Sequence, residues 1–197
     1  MKKFIVIDGF DGSGKDTQSQ FIYDMYKNKF RKTGGTVILR SNPENDNFFG
    51  LKSHESLLKE GNIYKIMATI YFAFDVFRSL ILYYYKADVL IFSRYLLACA
   101  YFPKILVKPV YIFFGFILPT SPFMFYLDLP PEIAMERINT RTLDNNQEIQ
   151  IFENLESLKK SREKVNLISE NWIRIDGSKG KNEIKEDIKN ILVKINN

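Results

Sequence analysis

Residues 9–17 read Gly-Phe-Asp-Gly-Ser-Gly-Lys-Asp-Thr, and this stretch decides the fold of the chain. The spacing of Gly9, Gly14 and Lys15 matches the pattern G-x-x-x-x-G-K, in which a glycine-rich backbone turns its N–H groups towards phosphate oxygens. An apolar run at residues 4–7 precedes the stretch, and a helical pattern begins at Lys15, so that a helix N-terminus adds positive potential. The sequence therefore predicts a loop between a strand and a helix that binds the phosphates of a nucleoside triphosphate.

We expect the whole loop to contact the donor nucleotide, with the Lys15 ammonium group at its β- and γ-phosphates. The predicted contacts come from Gly9, Phe10, Asp11, Gly12, Ser13, Gly14, Lys15, Asp16 and Thr17. The residue after the lysine is normally Ser or Thr, whose hydroxyl group binds Mg²⁺, and here it is Asp16. Thr17 lies about 100° further around the helix, so its hydroxyl group does not replace the missing one.

The rest of the chain alternates between strands and helices. Further short apolar runs predict strands at residues 36–39, 89–92, 123–127 and 172–175. Helical patterns cover residues 15–30 and 63–85, a segment opened by Pro130-Pro131, a segment ending near 168, and residues 182–195. The polar residues 41–50 predict a loop, and residues 139–147 predict a polar break. Because β-α-β connections are right-handed, this order predicts an α/β fold: a five-stranded parallel sheet with helices on both faces.

Composition narrows the class of protein. A length of 197 residues indicates one domain over residues 1–197, and 46% apolar with 26% charged residues excludes a disordered chain. The formal net charge of +5 suits a pocket for polyanions and is too small for a duplex-binding surface, so we expect no nucleic acid. One cysteine and one histidine exclude an internal disulfide and a Cys/His zinc site. The first apolar run is too short for a signal peptide, which predicts a cytoplasmic protein.

Residues 109–127 contain no charged side chain and raise the question of a membrane span. A spanning helix needs about 20 predominantly apolar residues, and Pro119 and Pro122 interrupt this run. We therefore expect a buried helix, a turn and then a strand, and no association with a membrane.

Several motifs along nearly the whole chain resemble those of one family. Residues 7–18, I-D-G-F-D-G-S-G-K-D-T-Q, are similar to the family's E-G-x-D-G-S-G-K-S-T-Q. Arg40 with Pro43 resembles its Arg and Pro after the second strand, and residues 72–76 (F-A-F-D-V) resemble F-A-A-D-R. Residues 93–95 (S-R-Y) are similar to D-R-Y, residues 100–101 to A-Y, and residues 127–138 to L-D-x-x-P-E-x-A-x-x-R-I. By these motifs the chain resembles the thymidylate kinase family of P-loop nucleoside monophosphate kinases.

The resemblance implies a kinase fold with a lid, at about residues 137–150, and transfer of the γ-phosphoryl group of ATP to dTMP with Mg²⁺. It also implies a homodimer, for which the apolar helices at 63–85 and 105–118 offer surfaces. The implied catalytic residues are Lys15, Arg94, Asp11 and Arg141, with Arg137 as a further ATP-binding residue. The implied acceptor-binding residues are Arg40, Phe72, Asp75, Arg78, Arg94 and Tyr101.

Three departures from the family pattern bear on function. Asp16 replaces the hydroxyl residue after the lysine, and Ser93 replaces the carboxylate that ends the third strand. Both positions serve the same Mg²⁺ shell in P-loop kinases, so we interpret the exchange as an intact but rewired metal site formed by Asp16 and Ser93. Val76 replaces the arginine that reads the thymine carbonyl, which leaves a kinase for another nucleotide or a deoxynucleoside as an alternative. A catalytically silent nucleotide-binding protein is the other alternative.

Each candidate also has a simpler interpretation that the sequence leaves open. Asp75 and Arg78 share a helix face and would also suit a buried structural pair, and Phe72 would also suit the core. Arg40 and Arg94 would also suit surface salt bridges. For Arg137 and Arg141 the alternative is solvated helix charge, and for Tyr101 it is simple packing.

Overall fold

The computed structural model describes residues 3–59, 61–145 and 154–194. Its strands are β1 (Lys3–Asp8), β2 (Val37–Arg40), β3 (Val89–Ser93), β4 (Phe123–Asp128) and β5 (Ile173–Asp176). They form one sheet in the order β2-β3-β1-β4-β5, and every neighbouring pair is parallel. The predicted α/β fold with a five-stranded parallel sheet is confirmed.

Helices cover both faces of this sheet. They are α1 (Lys15–Phe30), α2 (Phe48–Leu57), α3 (Asn62–Tyr83), α4 (Lys104–Ile117), α5 (Pro131–Asn145), α6 (Leu155–Asn166) and α7 (Lys181–Lys194), with a 3₁₀ helix at Leu96–Tyr101. One core cluster joins the sheet to α3, the 3₁₀ helix, α4 and the end of α6. A second joins it to α1 and α7, and a third, smaller cluster joins Phe10 of the loop after β1 to residues of α5 and α6.

The central position of β1 in the sheet explains why its sequence is apolar at consecutive positions and does not alternate with polar residues. Ile5 and Ile7 belong to the cluster under α1 and α7, whereas Val6 between them belongs to the cluster under α3. All three are fully buried. Successive side chains of a strand point to opposite faces, so a strand covered on both sides needs apolar residues at every position.

Three segments differ from the sequence-based expectation. The predicted loop at 41–50 runs into helix α2, because the Asn47 side chain caps that helix by accepting from the backbone N–H groups of Phe49 and Gly50. The expected polar break near 139–147 is helical as far as Asn145, since the segment after Pro131 has neither glycine nor proline. The predicted lid at about 137–150 therefore starts within α5, and residues 146–150 lie outside the described residues.

Helix α4 was expected to be buried, and one side of it is not. Val107 is fully buried, whereas Ile105 and Phe116 are 84% and 87% exposed. Among the described residues, one helical stretch, Ile63–Tyr83 in α3, is long and apolar enough to cross a membrane by length and composition. Core helices of soluble proteins often have this length and composition as well.

The pairing of β1 with β3 positions the functional residues. Ile7 lies opposite Ser93 in this register, and the Arg94 backbone N–H donates to the Ile7 carbonyl at 3.1 Å. The loop that follows β1 and the residues that end β3 therefore meet at the carboxyl edge of the sheet, where ligands bind in open α/β folds.

Candidate active site

The loop between β1 and α1 has the backbone that the glycine pattern predicts. Gly12 and Gly14 have φ angles of 81° and 85°, in the left-handed region that glycine adopts without strain. A Cβ atom at Gly12 would lie 2.7 Å from the Ala134 carbonyl oxygen, so this glycine also allows the loop to pack against α5. The Ser13 N–H donates to the Phe10 carbonyl at 3.1 Å, which closes the turn.

Two polar groups of the loop are buried. The Ser13 hydroxyl is buried and has no hydrogen-bond partner among the described residues. Lys15 is 3% exposed, and its Nζ lies 3.1 Å from Asp11 Oδ1. An unpartnered buried hydroxyl costs free energy, and a phosphate oxygen in the loop would satisfy it. The loop thus fits the phosphates of a nucleotide.

Asp11 joins the loop to the end of β3. Its Oδ1 accepts from Lys15 Nζ at 3.1 Å and from an Arg94 guanidinium nitrogen at 2.9 Å. Burial alone would raise the pKa of Asp11, but the nearby charges of Lys15 and Arg94, with a further contribution from Arg141, hold that pKa well below its usual range. Asp11 is therefore ionised at neutral pH and is a poor proton acceptor.

Arg94 has an unusual backbone conformation. Its φ angle is 79°, the one positive value at a non-glycine residue within the described part of the chain. Such a conformation costs free energy at a side chain with a Cβ and is found where the surrounding structure imposes it, often at active sites. Here it directs the Arg94 side chain towards Asp11 and the phosphate-binding loop.

The two exchanged residues are in direct contact. The Ser93 hydroxyl donates to Asp16 Oδ1 at 2.6 Å, although the residues are 77 positions apart in the chain. Ser93 is fully buried, whereas Asp16 is exposed at the start of α1, beside Lys15. The structure therefore brings together the pair that the sequence analysis interpreted as one site.

A cavity of about 120 Å³ opens beside this cluster. The loop residues Gly9, Phe10 and Asp11 line one end, together with Arg94. Further lining comes from the 3₁₀ helix, including Tyr101, from Leu57 and Lys65, and from α6. The cavity therefore adjoins the phosphate loop and is also lined by residues of α3 and α6.

Arg40, Asp75 and Arg78 form a separate cluster around the segment between β2 and α2. The buried Asp75 carboxylate accepts from the Asn42 side chain at 2.7 Å, the Glu44 backbone N–H at 3.0 Å and the Asn47 side chain at 2.7 Å. The buried Arg40 lies 3.0 Å from Glu44 and 3.4 Å from Asp46, and Arg78 lies 3.9 Å from Asp46. Asp75 and Arg78 thus have other partners than each other, and none of the three lines the cavity.

The remaining predicted residues lie around the site. Phe72 is 7% exposed and packs in the core with Leu96 and Cys99, away from the main cavity. Arg137 is half-buried and Arg141 exposed, and both lie on α5, the helix packed against the loop. Thr17 is exposed one position beyond Asp16.

Sequence reasoning missed Asp8, the last residue of β1. Its carboxylate accepts from the backbone N–H groups of Gly9, Tyr95 and Leu97 at 2.8, 2.7 and 3.2 Å, so it fixes both the loop and the 3₁₀ helix. Burial raises the pKa of Asp8, and these hydrogen bonds oppose that shift. The sequence signal that could have identified Asp8 is its position: an acidic residue at the end of an apolar strand, directly before a glycine-rich loop. Lys65 and Lys164 also line the cavity. No sequence signal identifies them, because charged residues are common in helical segments.

Comparisons with known proteins agree with this geometry. A sequence model of the family "Thymidylate kinase" matches residues 7–188. The chain is 29% identical to "Probable thymidylate kinase 1" of Saccharolobus solfataricus over 98% of each chain. It is 26% identical to "Thymidylate kinase" of Thermosipho africanus over 97% of this chain and 98% of the relative, and 29% identical to that of Rickettsia canadensis over 75% and 74%. With its phosphate loop, the Arg94 cluster and a match over most of its length, the chain belongs to the thymidylate kinase family.

Proposed function

We propose that the residues around the phosphate loop transfer the γ-phosphoryl group of ATP to dTMP, the reaction of the family to which the chain belongs. One observation carries the assignment of this site: Asp11, Lys15 and Arg94 meet between the loop and the cavity, with contacts of 2.9–3.1 Å. Two cations thereby face the place where the donor and acceptor phosphates must meet. Neutralising charge at that place is the main requirement of phosphoryl transfer.

On the donor side, residues 9–17 bind the phosphates of ATP through backbone N–H groups. The unpartnered Ser13 hydroxyl and the buried Lys15 ammonium group support this assignment. Lys15 leaves Asp11 to contact the β- and γ-phosphates when ATP binds. Arg137 and Arg141 lie on α5, the helix that packs against the loop at Gly12, and we assign them to the phosphates during closure of the lid.

On the acceptor side, Arg94 and Tyr101 line the cavity and contact dTMP directly. Arg40, Asp75 and Arg78 act through the segment between β2 and α2, which their contacts hold in place. Phe72 supports the 3₁₀ helix that carries Tyr101, since it lies in the same core cluster as Leu96 and Cys99 of that helix. The acceptor site therefore consists of two residues that contact dTMP directly and four residues that position the surrounding segments.

Asp16 and Ser93 are the residues that would hold Mg²⁺. Both offer oxygen atoms, which this hard cation prefers, and Asp16 Oδ2 has no hydrogen-bond partner among the described residues. Within the described residues no group of three acidic, histidine or cysteine side chains forms a metal cage. A site with one carboxylate suits Mg²⁺, which keeps several waters and uses substrate phosphates as ligands. When bound, the ion neutralises charge on the β- and γ-phosphates.

The chain's own residues then contribute positioning and charge. Lys15 and Arg94 stabilise the negative charge of the transferring group, and the loop aligns donor and acceptor for in-line transfer. The acceptor phosphate is already anionic, so no strong general base is required. The low pKa of Asp11 agrees with this, because its carboxylate orients Lys15 and Arg94 and does not take up a proton at neutral pH.

A coupled assay with ATP, Mg²⁺ and dTMP tests the function. We expect formation of dTDP, with slower turnover of other nucleoside monophosphates and of thymidine. Lys15→Ala should abolish turnover while circular dichroism shows that the variant still folds, whereas Lys27→Ala, which changes an exposed lysine on the same helix, should leave turnover intact. No turnover of dTMP, or normal turnover by Lys15→Ala, would refute the assignment.

We also propose that the protein acts as a cytoplasmic homodimer. Helix α3 exposes Phe74, Phe77 and Ile81 by 52%, 45% and 64%. Exposed large apolar side chains on one helix are typical of an interface between subunits. The opposite face of α3 packs on the sheet, so the helix connects the interface to the core that supports the active site.

A further inference from the structure

One buried carboxylate, that of Asp8 at the end of β1, contacts three separate parts of the active site. Its Oδ1 accepts from the backbone N–H of Gly9, where the phosphate loop begins, at 2.8 Å. Its Oδ2 accepts from the N–H groups of Tyr95 and Leu97, at 2.7 and 3.2 Å. Tyr95 follows Arg94 directly, and Leu97 lies in the 3₁₀ helix that lines the cavity. The Asp8 side chain therefore joins the donor loop to the end of β3 and the element behind it.

The Asp8 carboxylate is largely closed to a substrate. The residue is 3% exposed, and backbone N–H groups occupy three of the roughly four acceptor positions that a carboxylate offers. Any effect of Asp8 on the reaction therefore comes through the backbone groups that it holds in place.

The backbone of Arg94 is fixed from both sides by β1. The N–H of Arg94 donates to the Ile7 carbonyl at 3.1 Å, and the N–H of the next residue, Tyr95, donates to Asp8. Peptide groups are planar, so the orientations of the two groups that flank Arg94 set its φ and ψ angles. The resulting φ of 79° is strained at a residue with a Cβ atom, and such a conformation persists where the surrounding bonds impose it.

This conformation decides where the Arg94 side chain points. A guanidinium nitrogen of Arg94 lies 2.9 Å from Asp11 Oδ1, and both residues line the cavity beside the phosphate loop. A φ angle in the ordinary negative range would direct the Cα–Cβ bond of Arg94 differently relative to β1. The strained backbone is thus what brings the guanidinium group to the loop.

We infer that Asp8 is a positioning residue for phosphoryl transfer, which imposes the left-handed backbone conformation of Arg94 and so directs its guanidinium group at the phosphates. The inference rests on the proposed function, because it takes Arg94 as a residue that stabilises the transferring group. We call the hydrogen bonds of Ile7 and Asp8 to the N–H groups of Arg94 and Tyr95 the β1 clamp. Because Asp8 also holds Gly9, the β1 clamp keeps Arg94 in register with the phosphate loop.

Melting temperatures test the conformational role of Asp8 without any measurement of turnover. Glycine adopts a left-handed conformation without strain and alanine does not, so Arg94→Gly should have a higher melting temperature than Arg94→Ala, the reverse of the usual order. Asp8→Asn leaves one side-chain oxygen for three N–H groups and releases the β1 clamp, so in this background the difference should disappear. A lower melting temperature of Arg94→Gly in the otherwise wild-type chain would overturn the inference.

Steady-state kinetics with ATP and dTMP test the role of Asp8 in the reaction. Asp8→Asn should lower kcat by about tenfold or more, because a displacement of about 1 Å at the reacting groups can cost about 100-fold in rate. The KM for ATP should stay within about threefold, since the other N–H groups of the loop are unchanged. In the Arg94→Ala background, Asp8→Asn should lower kcat by less than about twofold, because the residue through which Asp8 acts is already missing.

Two control variants separate positioning from a general loss of stability. Asp88→Asn changes a carboxylate directly before β3 that accepts from the Thr36 N–H at 2.8 Å, and it should leave kcat unchanged. Ile188→Ala removes a fully buried side chain of α7. It should lower the melting temperature, because it leaves a cavity in the core, while kcat of the folded enzyme stays normal.

Equal losses of kcat on Asp8→Asn in the wild-type and Arg94→Ala backgrounds would overturn the inference. If Asp8→Asn does not fold, hydrogen exchange in the wild type takes its place: fast exchange of the Tyr95 and Leu97 amides overturns the inference, and protection equal to that of β1 supports it. If the wild type forms dTDP and Asp8→Asn does so at the normal rate, the positioning role fails and the proposed function stands. If the wild type forms no dTDP although the order of Arg94→Gly and Arg94→Ala depends on Asp8, the β1 clamp is supported and the proposed function fails.

Discussion

At the scale of single residues, the contact between Asp16 and Ser93 is the most distinctive feature of the site. A carboxylate about 4 Å from a phosphate charge is repelled by roughly 4 kcal/mol at an effective dielectric constant of 20. The helix N-terminus at Asp16 offsets only about 0.3–1 kcal/mol of this. The Ser93 hydroxyl donates to Asp16 and so holds the carboxylate in one orientation. A divalent cation between the carboxylate and the phosphates would turn the repulsion into attraction.

The first prediction concerns this pair. Asp16→Ser and Ser93→Asp are each expected to lower kcat/KM at saturating Mg²⁺ by about tenfold or more, because each breaks the balance of one carboxylate and one hydroxyl. The double variant should recover much of the loss, with a coupling free energy of about 1–3 kcal/mol. Steady-state kinetics of the wild type, the two single variants and the double variant measure this coupling free energy. The control is Asp24→Ser, which changes an exposed residue of α1; its effect on kcat/KM should be additive with that of Ser93→Asp. Additive effects of Asp16→Ser and Ser93→Asp would rule out a shared site.

A second prediction concerns the pH dependence of stability at Asp11. Because Lys15 and Arg94 hold its pKa below the usual value, ionised Asp11 stabilises the folded state above about pH 4, and that contribution is lost as pH falls towards the lowered pKa. Asp11→Asn should therefore lower the free energy of unfolding by about 2 kcal/mol at pH 7. The difference from wild type should shrink steadily below about pH 4.

Urea unfolding of wild type and Asp11→Asn between pH 3 and pH 7 measures this difference. Asp24→Asn removes an exposed carboxylate of α1 and serves as the control, with little effect at either end of the range. A difference between wild type and Asp11→Asn that grows on acidification would contradict the assigned direction of the pKa shift.

At the scale of elements, one buried carboxylate organises the connection from β2 to α2. Asp75 on α3 accepts hydrogen bonds from Asn42, Glu44 and Asn47, and Asn47 in turn caps α2. The polar connection between β2 and α2, which the sequence predicts to be a loop, is thereby held against the long helix α3. In the proposed function this anchor supports the acceptor side of the active site, since the same segment carries the carboxylate partners of Arg40 and Arg78.

The third prediction tests that anchor. Asp75→Ala leaves buried N–H donors without an acceptor and should lower the free energy of unfolding by about 2–4 kcal/mol. The Glu44 amide, which donates to Asp75, should lose protection against hydrogen exchange. Asp46→Ala, a half-exposed carboxylate in the same segment, is the matched control and should cost less than about 1 kcal/mol. Unchanged protection of Glu44 in Asp75→Ala would refute the anchoring role.

At the scale of the whole molecule, the helices on the two faces of the sheet differ in how many large apolar side chains they expose. Helices α1 and α7 pack over one core cluster, while α3 and α4 pack over the other and expose large apolar side chains. Ile81 on α3 is 64% exposed and Phe116 on α4 is 87% exposed. Burying such side chains contributes about 25 cal/mol per Å² of apolar surface, which favours association through this side of the molecule.

The fourth prediction follows from this asymmetry. The protein should sediment as a dimer at micromolar concentration, and Ile81→Lys should convert it to a monomer, because a charge within an apolar interface is costly to bury. Val193→Lys changes a 55% exposed residue of α7, on the other side of the sheet, and should leave the dimer intact. Analytical ultracentrifugation distinguishes these outcomes, and a monomeric wild-type protein would remove the α3 interface.

The sequence by itself determined the phosphate loop, the alternation of strands and helices, and the parallel sheet. These features are local: a glycine spacing, apolar runs of strand length and helical periodicity each express backbone physics within a few residues. The interpretation of Asp16 and Ser93 as one site also came from the sequence, through the exchange of residue types between two family motifs. The family resemblance, read from the same motifs, was confirmed by a match over residues 7–188.

Only the tertiary structure decided which charges face one another. Asp75 and Arg78 share a helix face in sequence, yet Asp75 bonds to the segment after β2. Lys65 and Lys164 are 99 positions apart and carry no pattern, and they meet at one cavity because α3 and α6 pack on the same face of the sheet. Helical periodicity predicts that a residue is on a surface, but the partner across that surface depends on how separate elements pack. The physical reason is that charge pairing is set by distances through space, which the order of residues along the chain does not contain.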